Sequence, residues 1–158
     1  MSEIFILRAN TACVSGHRTI EKDLNKPKLK LIFEKLILMG IDTFLIGMAI
    51  GFDTLCFQIL EEFRKTHNIK IIACIPCPSQ ADRFDYSQKK EYDRLVSVAD
   101  EKIVLSQEYT PSCMQKRNMF MVDNSAVVIC YLNKEKGGTF NTVKYAKQKD
   151  VPVINVLE

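Results

Sequence analysis

The chain has 158 residues, 47% hydrophobic and 26% charged, a globular balance that excludes a disordered or fibrous polypeptide. No apolar run reaches the roughly 18–20 residues of a spanning helix, and the first, Ile4 to Leu7, is bracketed by Glu3 and Arg8, so neither a membrane span nor a secretory leader is expected. The net charge of +3, with its positive excess near the two ends, is too small to announce a nucleic-acid partner, and a cytoplasmic protein is expected.

In chain order, short apolar runs alternate with helical stripes, without a linker, repeat or low-complexity tract, so residues 1–158 are expected to form a single domain. The first strand is expected over Thr11 to Ser15, followed by a helix with the stripe Leu29, Ile32, Phe33, Leu36 and Ile37. A second strand, Thr43 to Ile46, leads into the cleanest stripe, Phe52, Leu55, Cys56, Ile59, Leu60 and Phe63. A third, Lys70 to Ile75, precedes a helix carrying Tyr92, Leu95, Val96 and Ala99. Lys102 to Leu105 and Ala126 to Tyr131 are the fourth and fifth, separated by a weaker helix over Ser112 to Asp123. A helix from Phe140 to Lys149 and a strand from Pro152 to Val156 close the chain. The strands are mostly continuous apolar runs, as in strands covered on both faces, and parallel neighbours need connections long enough to hold a helix. The expected fold class is α/β: a doubly wound, three-layer domain with a mostly parallel sheet of five to six strands.

Six cysteines without an export signal are expected to be reduced thiols. Cys74-Ile-Pro-Cys77 alone has suggestive spacing, but no second such pair exists and His17 and His67 are not spaced as ligands, so no metal is expected. The pair also ends a strand and does not open a helix, which argues against a redox dithiol.

Ligands of doubly wound sheets sit beyond the carboxyl ends of the strands, so the turns there are the ones to read for chemistry. After the first strand, Ser15-Gly16-His17-Arg18 joins a flexible turn to a cation able to grip phosphate; the alternative is a plain turn with a solvated arginine. After the second, Gly47-Met48-Ala49-Ile50-Gly51-Phe52-Asp53 sets two glycines before a helix start, which serves either anion binding or close helix-sheet packing. Asp53 there either accepts ribose hydroxyls or complements the helix dipole. After the third, Gln80 reads a base or amide edge, or is an ordinary loop glutamine. Arg117, on the crossover to the fifth strand, points either into the cleft or into solvent. After the fifth, Gly137-Gly138-Thr139 opens the last helix as a phosphate cradle or an ordinary loop. It is not a P-loop, and no GxGxxG follows the first strand, so no dinucleotide cofactor is expected.

Together, Cys13-Val14-Ser15-Gly16-His17-Arg18, Gly47-Met48-Ala49-Ile50-Gly51-Phe52-Asp53, Arg117-Asn118 with Asp123, and Gly137-Gly138-Thr139 resemble the bacterial YpsA-like family. That family belongs to the SLOG superfamily of Rossmann-like domains, beside the LOG phosphoribohydrolases and the DprA fold. The resemblance implies one SLOG-type domain holding a nucleotide-derived ligand between its glycine turns. Gly47 and Gly51 look like the family's first ligand turn, Arg117 like the arginine before the fifth strand in LOG enzymes, and Gly137, Gly138 and Thr139 like their PGGxGT turn. The LOG glutamate, however, is replaced by Thr142, and Asn118 stands where those enzymes have lysine.

Cleaving an N-glycosidic bond needs stabilisation of a cationic sugar and usually a carboxylate to activate water, which a threonine does not supply. No catalytic residue is therefore assigned. The expected function is a binding module with a sensor or regulatory role for a nucleotide, ADP-ribose or nucleotide sugar, with an N-glycosidase or phosphoribohydrolase as the alternative. Expected ligand contacts are Gly16, Arg18, Gly47, Gly51, Asp53, Gln80, Arg117, Gly137, Gly138 and Thr139. Single-stranded DNA is disfavoured by the absence of tryptophan and of periodic tyrosines, and a homo-oligomer is left open.

Overall fold

The computed structural model describes residues 4–158; Glu3, which bounds the first apolar stretch, lies outside them. Six strands form one sheet: β1 (Thr11–Gly16), β2 (Thr43–Ile46), β3 (Lys70–Ile75), β4 (Glu101–Val104), β5 (Val127–Tyr131) and β6 (Val153–Asn155). Their order is β4-β3-β2-β1-β5-β6, and every neighbouring pair is parallel. The helices between them are α1 (Lys26–Leu38), α2 (Phe52–Arg64), α3 (Tyr86–Val98), α4 (Cys113–Asp123) and α5 (Gly138–Gln148).

Alternation along the strands divides the core into two layers. Ala12 and Val14 of β1, Phe44 and Ile46 of β2, and Ile129 and Tyr131 of β5 pack with Phe33 of α1, Phe52, Phe57 and Leu60 of α2, and Leu95 of α3. Cys13, Leu45, Ile72, Cys74 and Val128, one position out of phase, pack with Met121 and Val122 of α4 and Ala146 of α5. Helices cover both faces, which is why the central strands tolerate unbroken apolar runs.

The expected elements are all present, with shifted ends. α3 begins at Tyr86, well before its first stripe residue, Tyr92, because Asp85 accepts from the Gln88 amide and the Gln88 side chain returns the bond to Asp85 N. α1 starts at Lys26, where the Asn25 side chain accepts from Lys28 N. α4 looked weak in sequence because its buried face is Cys113, Arg117 and Met121, and a buried arginine breaks the apolar periodicity.

The chain winds outward from β1 through β4, and α4 then carries it back to place β5 on the other side of β1. Connections leaving β1 and β5 therefore diverge, and a crevice opens at their carboxyl ends.

Candidate functional site

A cleft of about 800 Å3 occupies that crevice, within the roughly 300–1,000 Å3 usual for small-molecule sites. Its walls include Gly16, Arg18, Asp53, Gln80, Arg117, Gly138 and Thr139, so turns far apart in sequence converge there. Gly47, Gly51 and Gly137 do not line this cleft.

The glycines divide by what surrounds them. A Cβ on Gly16 would run into the Phe52 ring, and one on Gly51 would meet the Arg18 and His17 carbonyls. At Gly47 it would lie 2.9 Å from the Arg117 guanidinium carbon. These three let chain pack on chain. Gly51 also has φ +81°, a left-handed geometry that side chains resist, and Phe52 N donates to His17 O at 3.1 Å across the same contact. Among the described residues, by contrast, nothing lies within 4 Å of such a Cβ at Gly137 and Gly138, and no side chain caps the start of α5. Amide hydrogens in the first turn of a helix lack intrahelical partners, so this end of α5 is left open to an anion.

Asp53, on the first turn of α2, is only 5% exposed. Its Oδ2 accepts from Ala49 N at 3.1 Å, while Oδ1 is buried without a partner among the described residues. Desolvation raises its pKa from 3.8 to about 6, against the opposing pull of Arg117, the Ala49 amide and Arg18. A carboxylate oxygen held in this way lacks the hydrogen bonds that a ligand's hydroxyls supply.

Arg117 is buried, and faces the cleft rather than solvent. Its Nη1 donates to the Gly47 carbonyl, which also accepts from Gln80 Nε2 at 2.9 Å; Arg117 Nε donates to Asn118 Oδ1 at 2.7 Å. Burial lowers its pKa, with Asp53 acting in the opposite sense. Both ends of the Gln80 amide also make fold contacts, because its Oε1 accepts from Tyr92 OH at 3.2 Å. The two side chains hold the β2–α2 turn in place from behind, where Met48 takes φ +65° while 3% exposed.

Arg18 differs from both. It is exposed at the rim, and among the described residues its guanidinium reaches only Met114 Sδ, at 3.8 Å. The loop that carries it is anchored by Tyr131, whose hydroxyl donates to Asp23 Oδ1 at 2.6 Å and accepts from Glu21 N, and by His17 Nε2, which accepts from Asn133 N at 3.1 Å. Thr142 lies away from the cleft, buried, and its hydroxyl donates to Gly138 O at 2.8 Å.

Sequence reading missed the wall made by Phe84, Tyr109 and Met114. Phe84 follows a strand end, which is a usable signal, and its ring meets Tyr92 edge-on at 5.6 Å. Tyr109 lies in a crossover loop without local features and is 65% exposed. Among the described residues no group of three or more His, Cys, Asp or Glu is arranged for a metal ion.

The family model for YpsA, the YspA SLOG family, matches residues 13–154. The chain belongs to the YpsA SLOG family. It is 32% identical to the uncharacterized SPbeta prophage-derived protein YoqJ of Bacillus subtilis (strain 168), over 78% of this chain and 80% of that protein. Among solved structures, the DNA processing protein A of Streptococcus pneumoniae superposes with a TM-score of 0.65 at 17% identity, over 90% of this chain and 48% of that one. DNA processing protein A of Helicobacter pylori, in a structure described for its single-stranded DNA binding mode, gives 0.65 at 16% identity, over 90% and 63%. This SLOG chain thus spans about half to two thirds of those proteins, and at such identities the likeness shows the fold.

Proposed function

We propose that this YpsA-family chain binds a nucleotide-derived small molecule in the cleft at the β1–β5 switch point and acts as a sensor or regulator. The observation that carries the reading is the presence in one cleft of an unpartnered Asp53 oxygen and the uncapped glycine start of α5. Gly138 and Thr139 amides, with Arg18, hold phosphate; Asp53 accepts ribose hydroxyls; Phe84 and Tyr109 offer faces for a base. Arg117 and Gln80 maintain the turn on which Asp53 sits.

The test is thermal unfolding with AMP, ADP-ribose, NAD and nucleotide sugars, followed by chromatography of the same mixtures. A ligand at about 100 times its Kd stabilises by about 2.7 kcal/mol, a rise of roughly 5–10 °C for a domain of this size. A shift with intact ligand is expected, and flat curves across the panel overturn the reading. Release of free base or ribose 5-phosphate, lost in Asp53→Asn, establishes the glycosidase alternative instead, which the raised carboxyl of Asp53 favours.

Single-stranded DNA is a second reading, supported by the likeness in fold to the Helicobacter pylori protein. Fluorescence anisotropy with a labelled oligonucleotide at low salt decides it, since electrostatic binding is strongest there.

A further inference from the structure

The six cysteines are all free and buried, yet they are not equivalent. Cys13, Cys74 and Cys130 sit in strands, and burial pushes their thiols up to about 12, which keeps them protonated and unreactive. Cys56, inside α2, is pushed up by the same cause. The remaining two, Cys77 and Cys113, are 36 residues apart in sequence and have their sulfurs 4.0 Å apart. Cys77 follows β3 and lines the cleft, where its Sγ also lies 3.5 Å from Ser79 Oγ. Cys113 opens α4, whose first turn follows the irregular segment 105–112. The sequence pairs Cys77 with Cys74, but Cys74 points from β3 into the layer of α4 and α5, and the sulfur that meets Cys77 is that of Cys113.

We propose that Cys77 and Cys113 form a thiol–disulfide modification site in the wall of the cleft, oxidised by a peroxide that enters through the cleft. Cys77 Sγ attacks a peroxide oxygen, the O–O bond breaks and one water leaves, giving a Cys77 sulfenic acid. Cys113 Sγ then attacks that sulfur, the S–S bond forms as the S–O bond breaks, and the Cys113 proton leaves with the second water. Two thiols lose two electrons in total, and the peroxide takes both. A disulfide needs its sulfurs about 2 Å apart, so they close by roughly 2 Å from their reduced positions.

That closure acts on the ligand site. Arg117 lies one turn after Cys113 on the same buried face of α4, and Met114, the partner of Arg18, is next to Cys113. Drawing the first turn of α4 toward Cys77 moves these groups at the cleft, so oxidation weakens binding there. This consequence rests on the nucleotide reading; the disulfide itself does not.

The test uses the full chain, reduced and then treated with stoichiometric hydrogen peroxide, alkylated, digested with trypsin and mapped by mass spectrometry. Cleavage after Lys70, Arg83, Lys102 and Lys116 places Cys77 with Cys74 in peptide 71–83 and Cys113 in peptide 103–116. The expected product is 71–83 linked to 103–116, lost on dithiothreitol treatment, and still formed in Cys74→Ser but absent from Cys113→Ser. Absence of that link in the parent protein, or a Cys74–Cys77 link in its place, overturns the site. In parallel, oxidation is expected to abolish the rise in thermal midpoint caused by ADP-ribose, with recovery on reduction. An equal rise in both redox states overturns the coupling. A link that forms in a protein with no rise for any of AMP, ADP-ribose, NAD and nucleotide sugars even when reduced sinks the nucleotide reading and leaves the disulfide site standing.

Discussion

Asp53 carries two opposed effects that one substitution separates. Its carboxyl binds a proton more tightly in the folded chain than in the unfolded one, since 3.8 rises to about 6. Its contribution to stability is therefore complete below about pH 4 and is lost as pH rises through about 6, a change of about 3 kcal/mol at full ionisation. Asp53→Asn is expected to flatten this window, so that urea midpoints of the variant exceed those of the parent at pH 8 and converge with them near pH 4. The same variant is expected to bind nucleotide roughly 10–100-fold more weakly, having lost charge-assisted bonds of about 1.5–3 kcal/mol. A residue that costs stability while supplying affinity is what a binding site leaves in a fold. Arg18 makes the complementary case. With a sulfur contact and the smallest of the pulls on Asp53 to lose, Arg18→Ala is expected to leave the thermal midpoint nearly unchanged while weakening binding of phosphate-bearing ligands, and to reduce the salt dependence measured by titration calorimetry. Asp53 was readable as a candidate because it follows a glycine turn at a helix start. Its unpartnered oxygen was not, since that depends on what β1, α4 and the β2–α2 turn place around it.

At the scale of elements, the helix starts of α2 and α5 have the same kind of sequence and different roles. Both follow glycines after a strand. At α2 the first amide is taken by His17 O and the glycine is pressed against the Arg18 backbone, whereas at α5 the space is open. Gly51→Ala is therefore expected to destabilise by about 2 kcal/mol or more, and Gly138→Ala to change stability by less than about 1 kcal/mol, both read from urea denaturation. Gly138→Asp then isolates the ligand site: the fold is retained, and a negative charge stands where the phosphate binds. Loss of the ligand-induced thermal shift with unchanged basal stability is expected; retention of the shift places phosphate elsewhere. Arg117→Ala gives no such separation, because it also removes a buried cation that opposes the rise in the Asp53 pKa and one of the two donors to the Gly47 carbonyl, so basal stability is expected to fall together with binding. α4 shows why its role was hidden: a face of Cys113, Arg117 and Met121 resembles neither an apolar stripe nor a solvent face.

For the whole molecule, the net charge bears on nucleic acid. A charge of +3 offers little attraction, while the Helicobacter pylori protein of the same fold is described as binding single-stranded DNA. The chain matches 63% of that protein's length, so DNA-contacting parts of it can lie outside the shared region. Anisotropy at low salt, about 20–50 mM, is expected to show weak or no retention of an oligonucleotide, and submicromolar binding there replaces the small-molecule reading with the DNA one. Among the described residues no helix is long and apolar enough to cross a membrane.

The order of elements, the parallel sheet and the family were determined by sequence, because apolar period and strand-end glycine turns are local properties that survive without coordinates. Gly16 was legible as a turn, and Gly47 and Gly51 as serving either anion binding or close packing, but sequence could not choose between the two, since a glycine required by a neighbouring backbone and one required by a ligand leave the same letter. Which way Arg117 turns, which oxygen of Asp53 lacks a partner, and which sulfur faces Cys77 were decided only by tertiary structure. The contacts that define this end of the sheet join residues 36, 70 and 96 positions apart, and no window of the chain contains both sides of such a contact.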